Sequence, residues 1–386
     1  MSRWRSQLYK SEGLKKGIDP SILDNAIVTA EITLGSNPNL PPILTLRHLA
    51  HLTGIDYGFL RHVISRANEN PYRVFRIGKR PAYNGELRFR TIAIPDPRLM
   101  VVQRWINRQI LQQLTVHDAS VAYSSGDRLV DAAKIHCGCN WLIKLDVRNF
   151  FESINEIAVY NVFLQAGYQP LISFELTRLC TRLGGVSPLR STKRWTRNLD
   201  APAIITSYIN GRMGHLPQGA PTSPMLANLA VKKFDRVVTA IAKRIGVTYT
   251  RYADDLTFST KDRAFTGTQS RKLIGEVYAA LGAFGLSPNI TKAQVSPPGG
   301  RKVVLGLIVS GDTPKLKRDF KSNMRRHLHY LSDPLYGPAS HAREREFTSI
   351  VGMRNHIQGL ITFANQIEPD YGAACQLAFD KVIWPF

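Results

Sequence analysis

Two adjacent aspartates, Asp254 and Asp255, interrupt the stretch VTYTRYADDLTFS, which otherwise has the composition of β-strands. Successive side chains of a strand point to opposite faces of a sheet, and an unpaired buried carboxylate is unfavourable, so the pair fits a turn better than a strand interior. We predict a β-hairpin with Ala253 and Asp254 at its tip and both carboxylates at one end of a sheet. An Asp-Asp turn is most often merely solvated, so its surroundings must decide whether it carries chemistry.

The charge of the chain indicates its partner. The 386 residues include 51 Lys and Arg against 29 Asp and Glu, a formal net charge of +22, and 44% hydrophobic residues, which is ordinary for a globular chain of two or three subdomains. Nucleic acid is the first candidate, because each neutralised phosphate releases a counterion, and an anionic membrane surface is the second. Without a bilayer-spanning apolar run or a signal-peptide stretch, we expect a cytoplasmic protein with no membrane segment.

The cysteines predict neither a disulfide framework nor a metal site. Four cysteines are too few to staple a chain of this size, and they suit a reducing compartment. The stretch IHCGCN places His136, Cys137 and Cys139 close together. No second Cys/His cluster completes a tetrahedral zinc set, so we predict a structural role for these side chains.

Hydrophobic spacing divides the chain into regions. Apolar residues at three- and four-residue spacing predict helices in the first eighty or so residues, including LTLRHLAHLTG and DYGFLRHVISRANEN. GELRFRTIAIP alternates like a hairpin strand, VVQRWINRQILQQL predicts an amphipathic helix, and NWLIKLDV predicts a buried strand that ends at Asp146. A basic segment without a clear period, residues 187–215, is predicted to be an insertion or flexible connection. One long helix is predicted to begin just after Pro221.

From Asp312 onward the sequence predicts helices with a dense basic face. A basic face is usually just solvated, but the charge excess of the whole chain favours contact with nucleic acid. The residues concerned are Lys315, Lys317, Arg318, Lys321, Arg325 and Arg326.

Three carboxylates form a candidate metal site. Asp146 ends one predicted strand, and Asp254 and Asp255 lie at the hairpin tip. Magnesium takes hard oxygen ligands and keeps positions for water and substrate phosphates. Two such ions can align a 3′-hydroxyl for attack and stabilise a leaving pyrophosphate, which is nucleotidyl transfer. Each motif alone is weak evidence.

The order of the motifs is more specific. KLDVRNFFESI, LPQGAPTSPMLANLA, RYADDLTFS and GLSPNITKAQV resemble the motif series of reverse transcriptases, in the same order and at plausible distances. The resemblance runs from about Tyr72 to the end of the chain. It implies an α+β, right-handed polymerase with an N-terminal helical region (1–80), fingers (81–145), a palm of antiparallel sheet and helices with interleaved fingers segments (146–311) and a helical thumb (312–386). It also implies that Asp146, Asp254 and Asp255 are the catalytic carboxylates and bind two Mg²⁺ ions.

The same resemblance implies nucleotide-binding roles for five residues. Phe151 would lie beneath the incoming sugar and clash with a 2′-hydroxyl, which favours deoxynucleotides. Gln218 and Gly219 would open the loop that packs against the nascent pair, where glycine allows close backbone approach. Arg90 would grip the triphosphate with its fork of donors, and Lys292 would lie near the leaving pyrophosphate.

The neighbouring Phe150 is predicted to be an ordinary core residue. If the segment after Asp146 alternates like a strand, Phe150 and Phe151 point to opposite faces, and only one of them can be core.

Two further elements resemble retron reverse transcriptases, bacterial enzymes that copy a dedicated noncoding RNA into a branched RNA–DNA hybrid. The family carries Asn-Ala-x-x-His before the first catalytic aspartate and Val-Thr-Gly after the hairpin, where this chain has AAKIH and VLG. Ala132 and Leu305 depart from the pattern, which puts RNA recognition there in doubt. The matching positions are Ala133, His136, Val304 and Gly306, and the resemblance implies that His136, Val304 and Gly306 contact RNA. A hydrogen-bonded structural histidine is the alternative for His136.

The retron resemblance implies partners as well as chemistry. These are a cognate noncoding RNA of the msr-msd type and its 2′,5′-branched DNA product, deoxynucleotides, a separate effector protein in anti-phage defence, and a host RNase H, because about seventy residues after the palm are too few for a thumb plus such a domain.

Other functions remain open from the sequence. An RNA-dependent RNA polymerase could use the same carboxylates, although Phe151 disfavours it. Group II intron-like, diversity-generating and abortive-infection reverse transcriptases are alternatives within the family. A non-catalytic RNA-binding scaffold on a polymerase fold is an alternative of another class.

Overall fold

The computed structural model describes residues 4–66, 71–79, 88–184 and 213–385. The helices in these ranges are α1 (Ser6–Lys15), α2 (Pro20–Ser36), α3 (Leu46–Thr53), α4 (Tyr57–Ser65), α5 (Pro97–Gln109), α6 (Leu129–Lys134), α7 (Phe150–Ser153), α8 (Glu156–Gln165), α9 (Pro170–Cys180), α10 (Ser223–Ala230), α11 (Lys232–Ile245), α12 (Gly267–Ala283), α13 (Arg318–Ser332), α14 (Gly337–Glu344), α15 (Ile350–Ile367) and α16 (Pro369–Asp380). The strands are β1 (Tyr72–Lys79), β2 (Arg88–Pro95), β3 (Trp141–Asp146), β4 (Thr248–Tyr252), β5 (Asp255–Thr260), β6 (Gln294–Ser296), β7 (Val303–Val304) and β8 (Leu307–Ile308).

The chain forms two compact units. The first comprises Met1–Ser125, Val147–Thr239 and Val277–Asn289, and the second comprises Gly126–Asp146, Ala240–Glu276 and Ile290–Phe386. Both units are therefore assembled from segments far apart in sequence. The four predicted regions, from the N-terminal helices to the thumb, stay a prediction.

Aspartate side chains cap the starts of two helices in the first unit. Asp56 accepts a hydrogen bond from the Phe59 amide at the start of α4, and Asp96 accepts one from the Arg98 amide at the start of α5. Such side chains satisfy backbone donors that lack partners in a first helical turn. The structure confirms the helices predicted from LTLRHLAHLTG and VVQRWINRQILQQL. The helix predicted from DYGFLRHVISRANEN is α4, and the last four residues of that stretch, 67–70, lie outside the described residues. Between α4 and α5, β1 and β2 pair antiparallel, with Tyr72 opposite Pro95.

The second unit contains a four-stranded antiparallel sheet in the order β4-β5-β3-β6. Alternation along the strands gives the sheet two faces. Ile143, Leu145, Leu256 and Phe258 are almost fully buried on one face. On the other face Leu142 belongs to a core cluster with Ala133, Cys137, Cys139, Val304, Leu307, Val309, Leu316, Ala364 and Ile367. The predicted buried strand ending at Asp146 is confirmed.

The C-terminal helices α13 to α16 share a second core cluster in the same unit. It is formed by Met324, Leu331, Ala342, Met353, Ile357, Ile361, Cys375, Phe379 and Val382. The basic segment after Asp312 is thus a packed helical layer, as its periodicity predicts.

One predicted helix needs correction, and one predicted segment lies mostly outside the described residues. The long helix predicted after Pro221 is two helices, α10 and α11, because Val231 leaves helical geometry between them. Most of the basic segment 187–215 lies outside the described residues, which resume at Met213. All four cysteines are buried free thiols. No helix in the described part of the chain is long and apolar enough to cross a bilayer.

Candidate active site

The two adjacent aspartates lie where a tight turn joins β4 to β5. Tyr252 pairs with Asp255, so Ala253 and Asp254 form a two-residue turn. Ala253 has a φ of +54°, a left-handed conformation that non-glycine residues rarely adopt. The hairpin predicted from VTYTRYADDLTFS is confirmed.

Strand β3 brings the third carboxylate to the same place. Asp146 is the last residue of β3 and is directly opposite Asp255 on β5. Opposite residues of an antiparallel pair have neighbouring side chains on one face of the sheet. Asp146 is also buried, with a side chain only 7% exposed. The structure therefore brings Asp146 and Asp255 side by side, one residue from Asp254.

Two lysines neutralise part of this acidic cluster. Lys292 Nζ donates a hydrogen bond to Asp146 Oδ2 over 2.7 Å. Lys144, two residues before Asp146 on the same face of β3, lies 4.0 Å from an Asp255 carboxylate oxygen. Sequence reasoning missed Lys144, although the two-residue period of a strand places it on the carboxylate face.

Like charges and partial burial raise the pKa values of Asp254 and Asp255. Burial raises the pKa of Asp254, and the neighbouring Asp146 carboxylate raises it further. Burial also raises the pKa of Asp255, while Lys144 acts in the opposite direction. Negative charge at this site is therefore disfavoured in the protein alone, so a cation bound between the carboxylates would be stabilised.

The donor set fits a hard cation. Aspartate oxygens are ligands that Mg²⁺ prefers, and several carboxylates at one sheet end leave room for water and phosphate ligands. Within the described residues, however, no group of three or more His, Cys, Asp or Glu side chains is arranged to hold a metal ion. The ammonium of Lys292 bonds one of the oxygens that a metal would use.

The predicted nucleotide-binding loop packs on β2 in the first unit. The Gln218 carbonyl accepts a hydrogen bond from the Ala93 amide over 2.7 Å. Gly219 has a φ of +113°, and a Cβ there would lie 3.0 Å from Ile92 and 3.1 Å from the Ala93 carbonyl. Only glycine fits this approach without strain. Arg90 is exposed on β2, two residues before Ile92 and hence on the same face of the strand.

Phe150 and Phe151 differ in burial as predicted, but for another reason. Phe150 is 3% exposed, a core residue, and Phe151 is half-buried. The segment is the short helix α7, so the predicted strand alternation is wrong. Around a helix, consecutive residues are about 100° apart, which is enough to separate a core position from its neighbour.

The structure corrects part of the predicted RNA contact. His136 is completely buried and Val304 is 1% exposed. Neither side chain reaches the surface, so direct RNA contact by these two is wrong in this arrangement, and the structural alternative for His136 holds. Gly306 is exposed and has a φ of +87°. With Leu305 at +48° it forms the turn between β7 and β8, and its contact with RNA stays a prediction.

The C-terminal basic residues divide into exposed and engaged groups. Lys321 is partly buried, bonds Glu368 and lies over the ring of Tyr371. Its charge is used inside the helical layer. Lys317 is half-buried. The exposed members, which stay candidates for RNA contact, are Lys315, Arg318, Arg325 and Arg326.

Comparison with known proteins identifies the family. The reverse transcriptase (RNA-dependent DNA polymerase) family model matches residues 77–331. The chain is 30% identical over 341 residues to the Retron Ec86 reverse transcriptase of Escherichia coli, covering 87% of this chain and 93% of that protein. It is 30% identical to the Retron Ec83 reverse transcriptase of Escherichia coli, covering 78% of this chain and 84% of the relative.

Two further proteins are less similar in sequence. The chain is 29% identical to the Retron Mx162 reverse transcriptase of Myxococcus xanthus, over 74% of this chain and 56% of that longer relative. A solved telomerase from Candida albicans with a telomeric RNA fragment is 11% identical with a TM-score of 0.42, covering 83% of this chain and 68% of the telomerase, a likeness too weak to bear on function. Through the family model and the retron relatives, the chain belongs to the reverse transcriptases and, among them, to the retron enzymes, and it is an RNA-directed DNA polymerase.

Proposed function

We propose that this polymerase copies a cognate, structured noncoding RNA of the msr-msd type into 2′,5′-branched, RNA-linked single-stranded DNA. The observation that carries the proposal is the placement of Asp146 opposite Asp255 at the end of β3 and β5, next to Asp254 in the turn. The similarity to named retron reverse transcriptases supports an RNA template for this polymerase.

The carboxylates would act as the metal-binding side of nucleotidyl transfer. Two Mg²⁺ ions held by Asp146, Asp254 and Asp255 would activate the attacking hydroxyl and stabilise the leaving pyrophosphate. One present partner of the Asp146 carboxylate, Lys292, has a half-exposed side chain, so a metal ion could replace this ammonium at Asp146 Oδ2. Once released from Asp146, that ammonium would be available to donate a proton or hydrogen bonds to the pyrophosphate.

The other candidate residues would bind and select the nucleotide. Arg90, exposed on β2, would bond the triphosphate through its planar fork of donors. Gly219, held against β2, lets backbone approach the nascent base pair closely. Phe151, half-buried beside the core residue Phe150, would exclude a 2′-hydroxyl and so favour deoxynucleotides.

The proposal extends to the cell. The exposed basic residues of α13 would grip RNA stems by their phosphates, because an A-form major groove is too narrow for side chains to read. A host RNase H would remove template RNA, and a separate effector held by the ribonucleoprotein would act against phage in the cytoplasm. The support for these steps is family membership.

The decisive experiment is to express the protein with its native upstream DNA and to analyse the co-purifying nucleic acid on a denaturing gel. Samples are compared before and after RNase and 2′,5′-debranching treatment. We expect a discrete DNA whose mobility changes on debranching. If only RNA or unbranched DNA appears while the enzyme extends an ordinary primer, the branched product is wrong and the polymerase assignment stands.

A double substitution tests the catalytic residues. We expect Asp254→Ala with Asp255→Ala to abolish primer extension, at least about 10³-fold, because the metal ligands are lost. RNA affinity, measured by filter binding, should change less than about twofold, since the phosphate contacts are elsewhere. Asp370→Ala, an exposed aspartate at the start of α16, is the control. Primer extension by the double variant would refute the assignment.

A further inference from the structure

The buried His136 bridges the two strands that carry the catalytic turn. Its Nδ1 lies 2.7 Å from Ser259 Oγ on β5, and its Nε2 lies 2.7 Å from Thr250 Oγ1 on β4. The ring is completely buried, and both hydroxyl-bearing residues are at most 5% exposed. His136 itself follows α6, so three separate segments of the second unit meet at one ring.

The register shows what this bridge spans. Thr250 is opposite Thr257, and Ser259 is opposite Thr248, so the two hydroxyls are diagonal neighbours on one face of the hairpin. Thr250 comes four residues before Asp254, and Ser259 comes four residues after Asp255. A strand rises about 3.3 Å per residue, so the two hydroxyls that bond His136 lie roughly 13 Å along the strands from the carboxylates.

His136 bonds the same face of the hairpin on which the Asp255 carboxylate lies. Asp255, Thr257 and Ser259 alternate with the core residues Leu256 and Phe258, so all three polar side chains point the same way. A polar column thus runs along β5 from the active carboxylate to the ring of His136. Ser259 and Asp255 belong to the same strand, so a shift of Ser259 would also move Asp255.

Strand β4 depends on this bridge more than the others. It is the edge strand of this sheet, so among the described strands it pairs with β5, and its far end enters the turn at Ala253 with a φ of +54°. Strand β5 is also paired with β3, so β4 is the half of the hairpin with one ladder. The hydrogen bond between Thr250 and His136 ties this edge strand to the segment that follows α6 as well.

The protonation state suits a bridge between two hydroxyls. Burial lowers the pKa of His136 to about 4, so the ring is neutral at physiological pH. A neutral imidazole has one donor and one acceptor nitrogen, and a hydroxyl can fill either complementary role. Both ring nitrogens are therefore satisfied whichever tautomer is present.

We infer that His136 is a positioning residue for DNA synthesis: it fixes β4 and β5 to each other and thereby sets the placement of Asp254 and Asp255 for metal and substrate. This inference rests on the proposed catalytic role of those two aspartates. It assigns the histidine of the AAKIH element to catalytic geometry and not to RNA contact.

The test compares His136→Leu with Thr250→Val and Ser259→Ala in the full chain with its RNA. The latter two remove the hydroxyls that bond His136 and nearly keep the volume of each side chain. We expect His136→Leu to lower kcat by roughly tenfold or more, since small misplacement of catalytic groups has large effects on rate. The KM for deoxynucleotides and the Kd for RNA should change less than about twofold, because neither site is touched. Each partner substitution should produce a smaller loss, and adding either to His136→Leu should have little further effect.

Two measurements separate positioning from general stability. Hydrogen exchange should become faster at the β4–β5 amides in His136→Leu, while α15 and α16 keep their protection. Ile357→Ala, which opens a cavity in the C-terminal cluster, is the matched destabilised control and should keep kcat per folded molecule. His136→Asn, which can still place a polar atom towards Ser259, should restore part of the activity lost in His136→Leu.

Three results would overturn the inference. These are loss of RNA affinity with unchanged kcat, unchanged exchange of the hairpin amides, or activity losses that match the lost folded fraction in both His136→Leu and Ile357→Ala. If His136→Leu does not fold, Thr250→Val and Ser259→Ala provide the same readouts. If Asp254→Ala with Asp255→Ala still synthesises DNA, the proposed catalytic role fails separately, and hairpin exchange alone then decides whether His136 holds β4 to β5.

Discussion

The ion pair between Lys292 and Asp146 indicates competition between a lysine and a metal. Both would use the Asp146 Oδ2 atom, which Lys292 Nζ bonds at 2.7 Å. We predict that Lys292→Met binds Mn²⁺ without nucleotide roughly two- to fivefold more tightly, as expected for a partly exposed ion pair of up to about 1 kcal/mol. DNA synthesis should nevertheless be roughly tenfold slower, because the variant loses the donor proposed for the leaving pyrophosphate. Titration of free Mn²⁺ by electron paramagnetic resonance measures the first effect.

The control for this variant removes the same charge from the same site. Lys144 lies 4.0 Å from Asp255, so Lys144→Met changes the local electrostatics without freeing Asp146. Its effect on Mn²⁺ affinity should be smaller than that of Lys292→Met. Equal tightening in both variants would mean that net charge, and not competition for Asp146, governs metal affinity.

The raised pKa of Asp254 implies a pH-dependent instability of the metal-free protein. A carboxyl whose pKa is higher in the folded state binds protons more readily there, so folding loses stability as pH rises through the interval between 3.8, its ordinary value, and the raised one. Asp254→Asn removes this loss. We predict that, in EDTA, the variant melts at a higher temperature than the parent at pH 7, and that the difference narrows towards pH 4.

Added magnesium provides the check on that prediction. Mg²⁺ binds the folded parent and stabilises it by mass action, so it should narrow the difference in melting temperature at pH 7. A parent protein that melts above Asp254→Asn in EDTA at pH 7 would contradict the unfavourable charge cluster.

At the residue scale the sequence predicts where the three carboxylates lie in the sheet. The structure confirms the strand that ends at Asp146 and the turn that places Asp254 and Asp255 at the same end of the sheet, while their catalytic role stays a proposal. The sequence leaves His136 open between RNA contact and a structural role, because a sequence does not show burial. The partners that satisfy its two nitrogens, Thr250 and Ser259, are more than a hundred residues away and have no local signature.

At the scale of elements, adding one methyl group at Gly219 tests whether close packing of its loop on β2 matters for nucleotide binding. Gly219 and Gly246 both have positive φ angles, but only at Gly219 would a Cβ meet a neighbour, at 3.0 Å. We predict that Gly219→Ala displaces the loop and raises the KM for deoxynucleotides several-fold. Gly246→Ala should leave the KM unchanged and lower the free energy of unfolding by about 1 kcal/mol, the strain of a left-handed residue. Steady-state primer extension and urea denaturation measure the two effects, and an equal KM for both variants would contradict the prediction.

Elements with a strong local pattern were predictable. Apolar spacing predicts α4 and α5, and strand-like composition predicts β3 and the β4–β5 hairpin. The break at Val231 was not, because both flanking segments favour helix and tertiary packing decides where one ends. The same holds for α7, whose four residues are too short to show a helical period.

At the scale of the whole molecule, composition identified a polyanionic partner but not the surface that meets it. The net charge of +22 is spread over the chain, and only the structure shows which cations of the C-terminal layer are already paired. Glu368 accepts hydrogen bonds from the Leu316 amide and from Lys321, so it holds the start of α13 to α16. The division into two units was also hidden, because each unit joins distant segments.

This difference between paired and exposed cations predicts the salt dependence of RNA binding. Arg325 and Arg326 are exposed on α13, whereas Lys321 bonds Glu368. Each lost phosphate contact reduces the slope of log K against log salt by about one, so Arg325→Gln with Arg326→Gln should reduce it by about two. Lys321→Gln should leave the slope unchanged and lower the free energy of unfolding by roughly 1 kcal/mol.

Filter binding of a structured RNA between about 50 and 200 mM salt, the range over which phosphate contacts dominate affinity, gives the slopes. Lys321→Gln is a stringent control, because it removes a positive charge from the same helix as the arginines. A slope that Lys321→Gln reduces by about one, half the reduction caused by the arginine pair, would show that RNA senses the total charge of the chain. A slope reduced only by the arginine pair would locate the phosphate contacts on the exposed face of α13.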